Sequence, residues 1–132
     1  MRHRNSKIKS RLGKQKGHRE LMLRNMMTSL FTHGKVKTTE TRAKIVQSSA
    51  EKLITKIKRK DLMNAIREVK KVLFTNESSK RAIEIAKNFE NRTSGYTRLT
   101  FVGIRDGDAT RMALLEFVDE KKGKLIYRKR LT

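Results

Sequence analysis

The 132-residue chain contains no cysteine, no proline and no tryptophan. Without cysteine there is no disulfide, no thiolate nucleophile and no cysteine-based zinc site. The remaining good zinc ligands, His3, His18 and His33, are spaced in no zinc-binding pattern. With five Phe and two Tyr, the chain lacks the aromatic platform on which single-strand readers stack bases. No apolar run approaches the about 18 residues needed to cross a bilayer, which excludes an integral membrane protein. The basic N-terminus is followed by no hydrophobic segment, so it does not read as a secretory signal. An organellar leader is disfavoured too, because the basic residues run straight on into the first predicted helix. A reducing, cytoplasmic compartment is the expectation.

Acids are scarce as well. Asp and Glu number 13 against 34 Lys and Arg, a net charge of +21. Such an excess raises self-repulsion in the compact state, and a polyanion relieves it. The bases crowd the two ends. Residues 1–19 carry eight of them and residues 121–132 six more, with no acid in either stretch. The first stretch has few apolar anchors beyond Ile8 and Leu12, too few to offset the entropy of folding alone. It reads as an arm that orders against phosphate, the plain alternative being a solubilising tail.

Between these ends the apolar pattern is first helical and then alternating. Leu23, Met26, Met27, Leu30 and Phe31 predict a helix over 19–32. Gly34 is placed to end it, and Lys35 to Thr38 is a short strand. Thr39 is the expected N-cap of a second helix, with Ala43, Val46, Ala50, Leu53, Ile54 and Ile57 on its apolar face. Asp61 is expected to cap a third helix (Leu62, Ile66, Val69, Leu73), and Ser78 or Ser79 a fourth (Ala82, Ile83, Ala86, Phe89). After Gly95 the period becomes two. Residues 97–105 and 111–118 read as strands joined by a tight turn at Asp106-Gly107. Three strands cannot bury a face alone, so the helices are expected to cover one side of the sheet. The fold class is α+β, a two-layer domain ordered helix–short strand–three helices–β-hairpin, with basic N-terminal and C-terminal extensions. The boundaries are 1–18 for the first extension, 19–118 for the globular part and 119–132 for the C-terminal tail.

No enzyme constellation stands out. There is no nucleophile elbow and no glycine-rich phosphate loop. Asp106 and Asp108 could be imagined as a metal pair, but a turn explains both. No catalytic residue, metal, cofactor or small-molecule substrate is expected. Two stretches have the chemistry of a polyanion site. Thr38, Thr39, Arg42 and Lys44 surround a helix N-terminus, where free amides and the helix dipole suit a phosphate; an ordinary helix cap would look the same. Arg92, Tyr96 and Arg98 flank a loop glycine, where the ring could stack on a base or ribose while arginines reach phosphates. The alternative is a polar connector with Tyr96 folded onto the core.

The residues also resemble a known family. Met1-Arg2-His3-Arg4, Leu12-Gly13, His18-Arg19, Leu23-Arg24-Asn25-Met26, Ser29-Leu30-Phe31 and Val36-Lys37-Thr38-Thr39 leading into Ala43-Lys44 follow one another in family order. Leu53-Ile54-Thr55, Gly95-Tyr96-Thr97-Arg98, Arg105-Asp106-Gly107-Asp108-Ala109 and Met112-Ala113 continue the match over roughly residues 1–118. The set resembles the bacterial-type large-subunit ribosomal protein numbered seventeen. The resemblance implies an α+β globule with a basic extension, seated on large-subunit ribosomal RNA in the cytoplasmic ribosome and supporting translation. It also implies a neighbouring contact with large-subunit protein thirty-two. The expected RNA contacts are Arg2, His3, Arg4, Lys7, Lys9, Arg11, Lys14, Lys16, His18, Arg19, Arg24 and Asn25 in the N-terminal part. Lys37, Thr38, Thr39, Arg42, Lys44, Arg92, Tyr96 and Arg98 complete them. Composition alone would also permit a nucleoid-type DNA architectural protein.

Overall fold

The computed structural model describes residues 12–118. The expected contacts of Arg2, His3, Arg4, Lys7, Lys9 and Arg11, and the basic tail, lie outside the described residues. Leu12 and Gly13 have positive φ of 55° and 64°, which interrupts any regular helix there. The first helix, α1 (Lys16–His33), starts just beyond them. The apolar period alone predicts a start at Arg19. The helix begins earlier because the Arg19 amide reaches the Gln15 carbonyl at 2.9 Å, closing a full turn upstream.

Gly34 ends α1 with φ 77°, and its amide donates to the Leu30 carbonyl at 2.7 Å. Only glycine enters that left-handed region without penalty. Strand β1 (Lys35–Thr39) follows, and then α2 (Glu40–Arg59), α3 (Leu62–Val72) and α4 (Asn76–Asn88). Thr39 and Asp61 stand at the N-cap positions of α2 and α3, although neither side chain bonds to a helix amide. The cap of α4 is Thr75, whose hydroxyl accepts from the Ser78 amide at 3.2 Å. This corrects the expectation of Ser78 or Ser79. Both serines lie buried in the first turn, with hydroxyls donating to the Thr75 carbonyl at 2.8 and 2.9 Å.

Strands β2 (Thr97–Ile104) and β3 (Arg111–Phe117) form an antiparallel hairpin, and β1 pairs antiparallel with the other side of β3. The sheet order is β1-β3-β2. The turn is longer than the expected two-residue one: the Arg105 amide bonds to the Thr110 carbonyl at 2.8 Å, and Gly107 and Ala109 have φ of 98° and 52°. Asp108 explains the shape, since its carboxylate accepts from Arg105 Nε at 3.1 Å and from the Thr110 amide at 3.2 Å. The imagined metal pair is thus a turn clamp.

The helices cover one face of the sheet, as the three-strand argument requires. Leu30, Phe31, Val46, Leu53, Ile54, Val69, Phe89, Leu115 and Phe117 meet in one core. Phe31 and Phe117 pack ring on ring at 5.1 Å and tie α1 to β3. Burial of each such side chain contributes roughly 1.5–3 kcal/mol. Along α3 and its C-cap the buried stripe is Ala65, Val69 and Leu73, while Leu62 is exposed. In α4 Ile85 takes the buried place expected for Ile83. Each buried stripe is thus turned slightly from the period-based choice, with Ala65 and Ile85 buried where the period places Leu62 and Ile83.

Candidate nucleic-acid interface

Residues opposite one another on adjacent strands share a face of the sheet. Val36, Leu115 and Leu99 form a row toward the helices. The next rows, on the opposite face, are Lys35, Glu116 and Arg98, and then Lys37, Leu114 and Thr100. Lys35, Lys37, Arg98 and Thr100 are exposed. The register therefore brings Lys37 and Arg98, nominated from distant stretches of sequence, onto one open face, and adds Lys35 to them. Glu116, 7% exposed, lies between Lys35 and Arg98 as the local counter-charge.

Internal partners divide the nominated cations into two groups. Lys14, Lys16, His18, Arg19, Lys37, Arg42 and Arg98 make no side-chain hydrogen bond or ion pair among the described residues. The Lys and Arg charges among them remain available to an external anion. Asn25 is likewise exposed on α1. The others are engaged. Arg24 Nε donates to the Val72 carbonyl at 3.0 Å, and its guanidinium lies 4.2 Å from the centre of the Phe74 ring. It pins α1 to the end of α3. Arg92 donates to the Gly95 carbonyl at 2.7 Å and closes its own loop.

The start of α2 carries its own anion. Glu40 is bonded by Lys44 at 2.9 Å and by Arg111 at 2.7 Å. These bonds, that of Lys44 first, hold the Glu40 carboxyl below its ordinary range. A carboxylate in the first turn already satisfies the helix dipole, so Lys44 serves the fold before any ligand. Thr38 lies opposite buried Ala113 and points to the helix side, whereas Thr39 lies opposite Met112 on the open face. Of this stretch, Thr39 and Arg42 keep the geometry of an external contact.

Tyr96 is not at the surface. It is 1% exposed and packs on Phe89 with ring centres 5.3 Å apart. Its hydroxyl donates to the Thr93 carbonyl at 2.9 Å and lies 3.2 Å from that of Arg92. The reading of Tyr96 as a base- or sugar-stacking residue is thus corrected. The ring belongs to the core because the hydroxyl finds carbonyls inside its own loop, which removes the desolvation penalty of burying it.

Sequence reasoning missed Lys35 and a basic stripe on α2. Lys52, Lys56 and Arg59 border a shallow groove of about 440 Å³ beside Ser48, Glu51 and Thr55. The signal was present as cations at i, i+4 and i+7 on the helix face opposite the apolar stripe. Among the described residues no group of His, Cys, Asp and Glu could hold a metal. No described helix is long and apolar enough to cross a membrane.

A protein-family profile described as "Ribosomal protein L17" matches residues 22–118, nearly the whole described body. The chain belongs to the ribosomal protein L17 family. Its membership is therefore among ribosomal proteins and not among enzymes. Similar curated proteins bear the name large ribosomal subunit protein bL17. That of Desulforudis audaxviator is 49% identical over 109 residues, covering 82% of this chain and 96% of the relative. That of Pelobacter propionicus is 43% identical over 111 residues, covering 84% and 87%. That of Nautilia profundicola is 43% identical over 125 residues and is covered in full. The family match runs from within α1 to the end of β3, so the open sheet face and the α2 stripe lie within its part of the chain.

Proposed function

We propose that this protein is a structural constituent of the large ribosomal subunit in the cytoplasm, where it binds and stabilises large-subunit ribosomal RNA and so supports translation. The observation that carries the reading is the division of cations. Lys35, Lys37 and Arg98 stand on an open sheet face in a chain of +21, outnumbering the buried Glu116 between them, while Glu40, Glu68 and Glu77 are drawn into internal pairs elsewhere. A surface built to grip folded RNA by charge and shape needs fixed cations in excess of acids on rigid strands. In this reading residues 1–18 and 119–132 are phosphate-seeking extensions of the 19–118 body. His18, Arg19 and Asn25 continue the first one along α1. A neighbouring contact with large-subunit protein thirty-two belongs to the same proposal.

The test is binding of the purified full chain to deproteinised large-subunit ribosomal RNA and to duplex DNA of equal length, over a range of salt. The expected result is tighter binding to the RNA, with a steep salt dependence from released counterions. Equal affinity for the two at every salt concentration would overturn the ribosomal reading in favour of a general polyanion binder such as a nucleoid-type protein.

A further inference from the structure

Each of the three later helices contributes to cation–acid pairs one turn apart. Lys44 bonds Glu40 at the start of α2, Lys71 bonds Glu68 in α3, and Arg81 bonds Glu77 in α4. The outer face of α2 breaks this pattern. Lys52, Lys56 and Arg59 are exposed and make no ion pair or side-chain hydrogen bond among the described residues. No acid of α2 stands three or four residues from any of them, so their neighbours along the face are hydroxyls and each other. Like charges at that spacing oppose the helix slightly, and an anion laid across them removes the opposition. The helix dipole accounts for Lys56 and Arg59, which lie in the last turn, but Lys52 stands a further turn back.

The groove that these cations border with Ser48 and Thr55 holds one acid, Glu51. Its carboxylate is turned to the sheet, where it accepts from the Thr97 hydroxyl at 2.8 Å. Three cations against one occupied acid leave the groove at +2. Lys52 and Arg59 are seven residues apart, a rise of about 10 Å along the helix, which gives a ladder of charge with hydroxyls beside it. Such a ladder fits the phosphates and 2′-hydroxyls of one RNA flank.

Its place in the fold matters as much as its charge. The buried stripe of α2 faces the core, so Lys52, Lys56 and Arg59 stand on the solvent side of the helix layer. Lys35, Lys37 and Arg98 stand on the face of the sheet that no helix covers. A helix layer and the sheet lie between the two sets, a separation of roughly 20 Å. They look in different directions, and a single straight RNA helix cannot lie along both.

We propose that the outer face of α2 is a second RNA-backbone site, and that through it the globular body bridges two separate RNA helices. The proposal rests on the ribosomal reading for the nature of the polyanion. It adds that the body has two RNA faces, which a chain gripping RNA by its sheet and extensions does not need.

The absence of cysteine allows a direct test. Ser48→Cys on α2 and Thr100→Cys on the open sheet face, both at exposed positions, are each loaded with a tethered iron chelate that cuts nearby RNA through hydroxyl radicals. The full chains are bound to salt-washed large-subunit particles that lack this protein. Each probe is expected to cut a different RNA helix. A silent probe at position 48 beside an active one at position 100 would overturn the proposal, and so would cuts by both probes in the same helix. A second measurement uses Lys52→Gln with Lys56→Gln and Arg59→Gln, confirmed as folded by its thermal melt. Cutting from position 48 should be lost in this background while cutting from position 100 persists. On deproteinised RNA the slope of log K against log salt should fall by about 2 to 3 if each cation meets one phosphate. An unchanged slope would mean a solvated helix face. Weaker particle binding by the triple variant, with position 48 silent in the otherwise wild-type chain, would assign the stripe to an acidic protein instead and overturn the RNA site. Failure of the ribosomal reading is a separate result, a wild-type chain that does not prefer ribosomal RNA to duplex DNA.

Discussion

The ammonium group of Lys58 lies 5.2 Å from the centre of the Tyr96 ring and 3.4 Å from its hydroxyl. The same ammonium donates to the Arg92 carbonyl, so one cation near the end of α2 fixes both ends of the loop that leads into β2. The loop is a built structure, and the flanking arginines inherit their positions from it.

Replacement of Tyr96 should therefore act on stability. Tyr96→Phe removes hydrogen bonds to loop carbonyls and should cost about 1–2 kcal/mol. Tyr96→Ala adds a cavity beside Phe89 and should cost about 3–5 kcal/mol. Urea unfolding followed by circular dichroism measures both, and an unaltered midpoint for the alanine variant would contradict the buried placement.

Loss of the open-face cations should do the reverse. Lys37→Ala with Arg98→Ala is expected to leave stability within about half a kcal/mol, since neither side chain has an internal ion partner. The same change should lower the slope of log K against log salt by about 2 if each cation meets one phosphate. Filter binding to ribosomal RNA at several salt concentrations reads the slope.

Three carboxylates should make the fold acid-sensitive. Lys44 and Arg111 lower Glu40, Lys60 and Lys71 lower Glu68, and Arg105 and the Thr110 amide lower Asp108 from their ordinary values of 4.5, 4.5 and 3.8. A carboxyl depressed in the folded state contributes stability above its unfolded pKa and loses it as pH falls through the folded value. Melting temperature should thus be steady above about pH 5 and fall progressively toward pH 2. Asp108→Asn should reduce the steepness of that fall, because it removes one of the three titrations.

Gly34→Ala tests the joint between α1 and β1. Gly34 sits at φ 77° and its carbonyl accepts from the Phe117 amide at 3.3 Å. A side chain in this left-handed conformation should cost about 1–2 kcal/mol, seen as a lower thermal midpoint. An unchanged midpoint would mean that the joint relaxes.

Much of this architecture is legible in the residues. The helices follow from apolar stripes of sufficient length, and the hairpin follows from alternation around Asp106-Gly107. The Gly34 stop reads directly because its cause is local. What the sequence does not disclose depends on distant contacts. Tyr96 reads equally well as a stacking residue or a core residue until Phe89 and Lys58 are seen beside it. Lys35 and Arg98 share a face only because Glu116 of β3 lies between them. Arg24 resembles any surface arginine until the Val72 carbonyl and the Phe74 ring claim it. The partnering of cations, which divides the candidate site, is invisible to composition.

Among the described residues the central strand of the sheet is also its last in chain order. Lys35 pairs with Glu116, about 80 residues further on, whereas each helix needs only near neighbours. Closing so long a loop carries an entropy that grows with the logarithm of its length and is met before any strand contact compensates it. The helices can therefore gather early, while β1 and β2 wait for β3 to join them. In a chain growing from its N-terminus, residues 35–39 lack their β3 partner throughout the synthesis of everything between Thr39 and Arg111. The arrival of one seven-residue segment should therefore set the slow step of folding: in stopped-flow refolding, a mutation that weakens β3 should slow folding more than one of equal cost in α4.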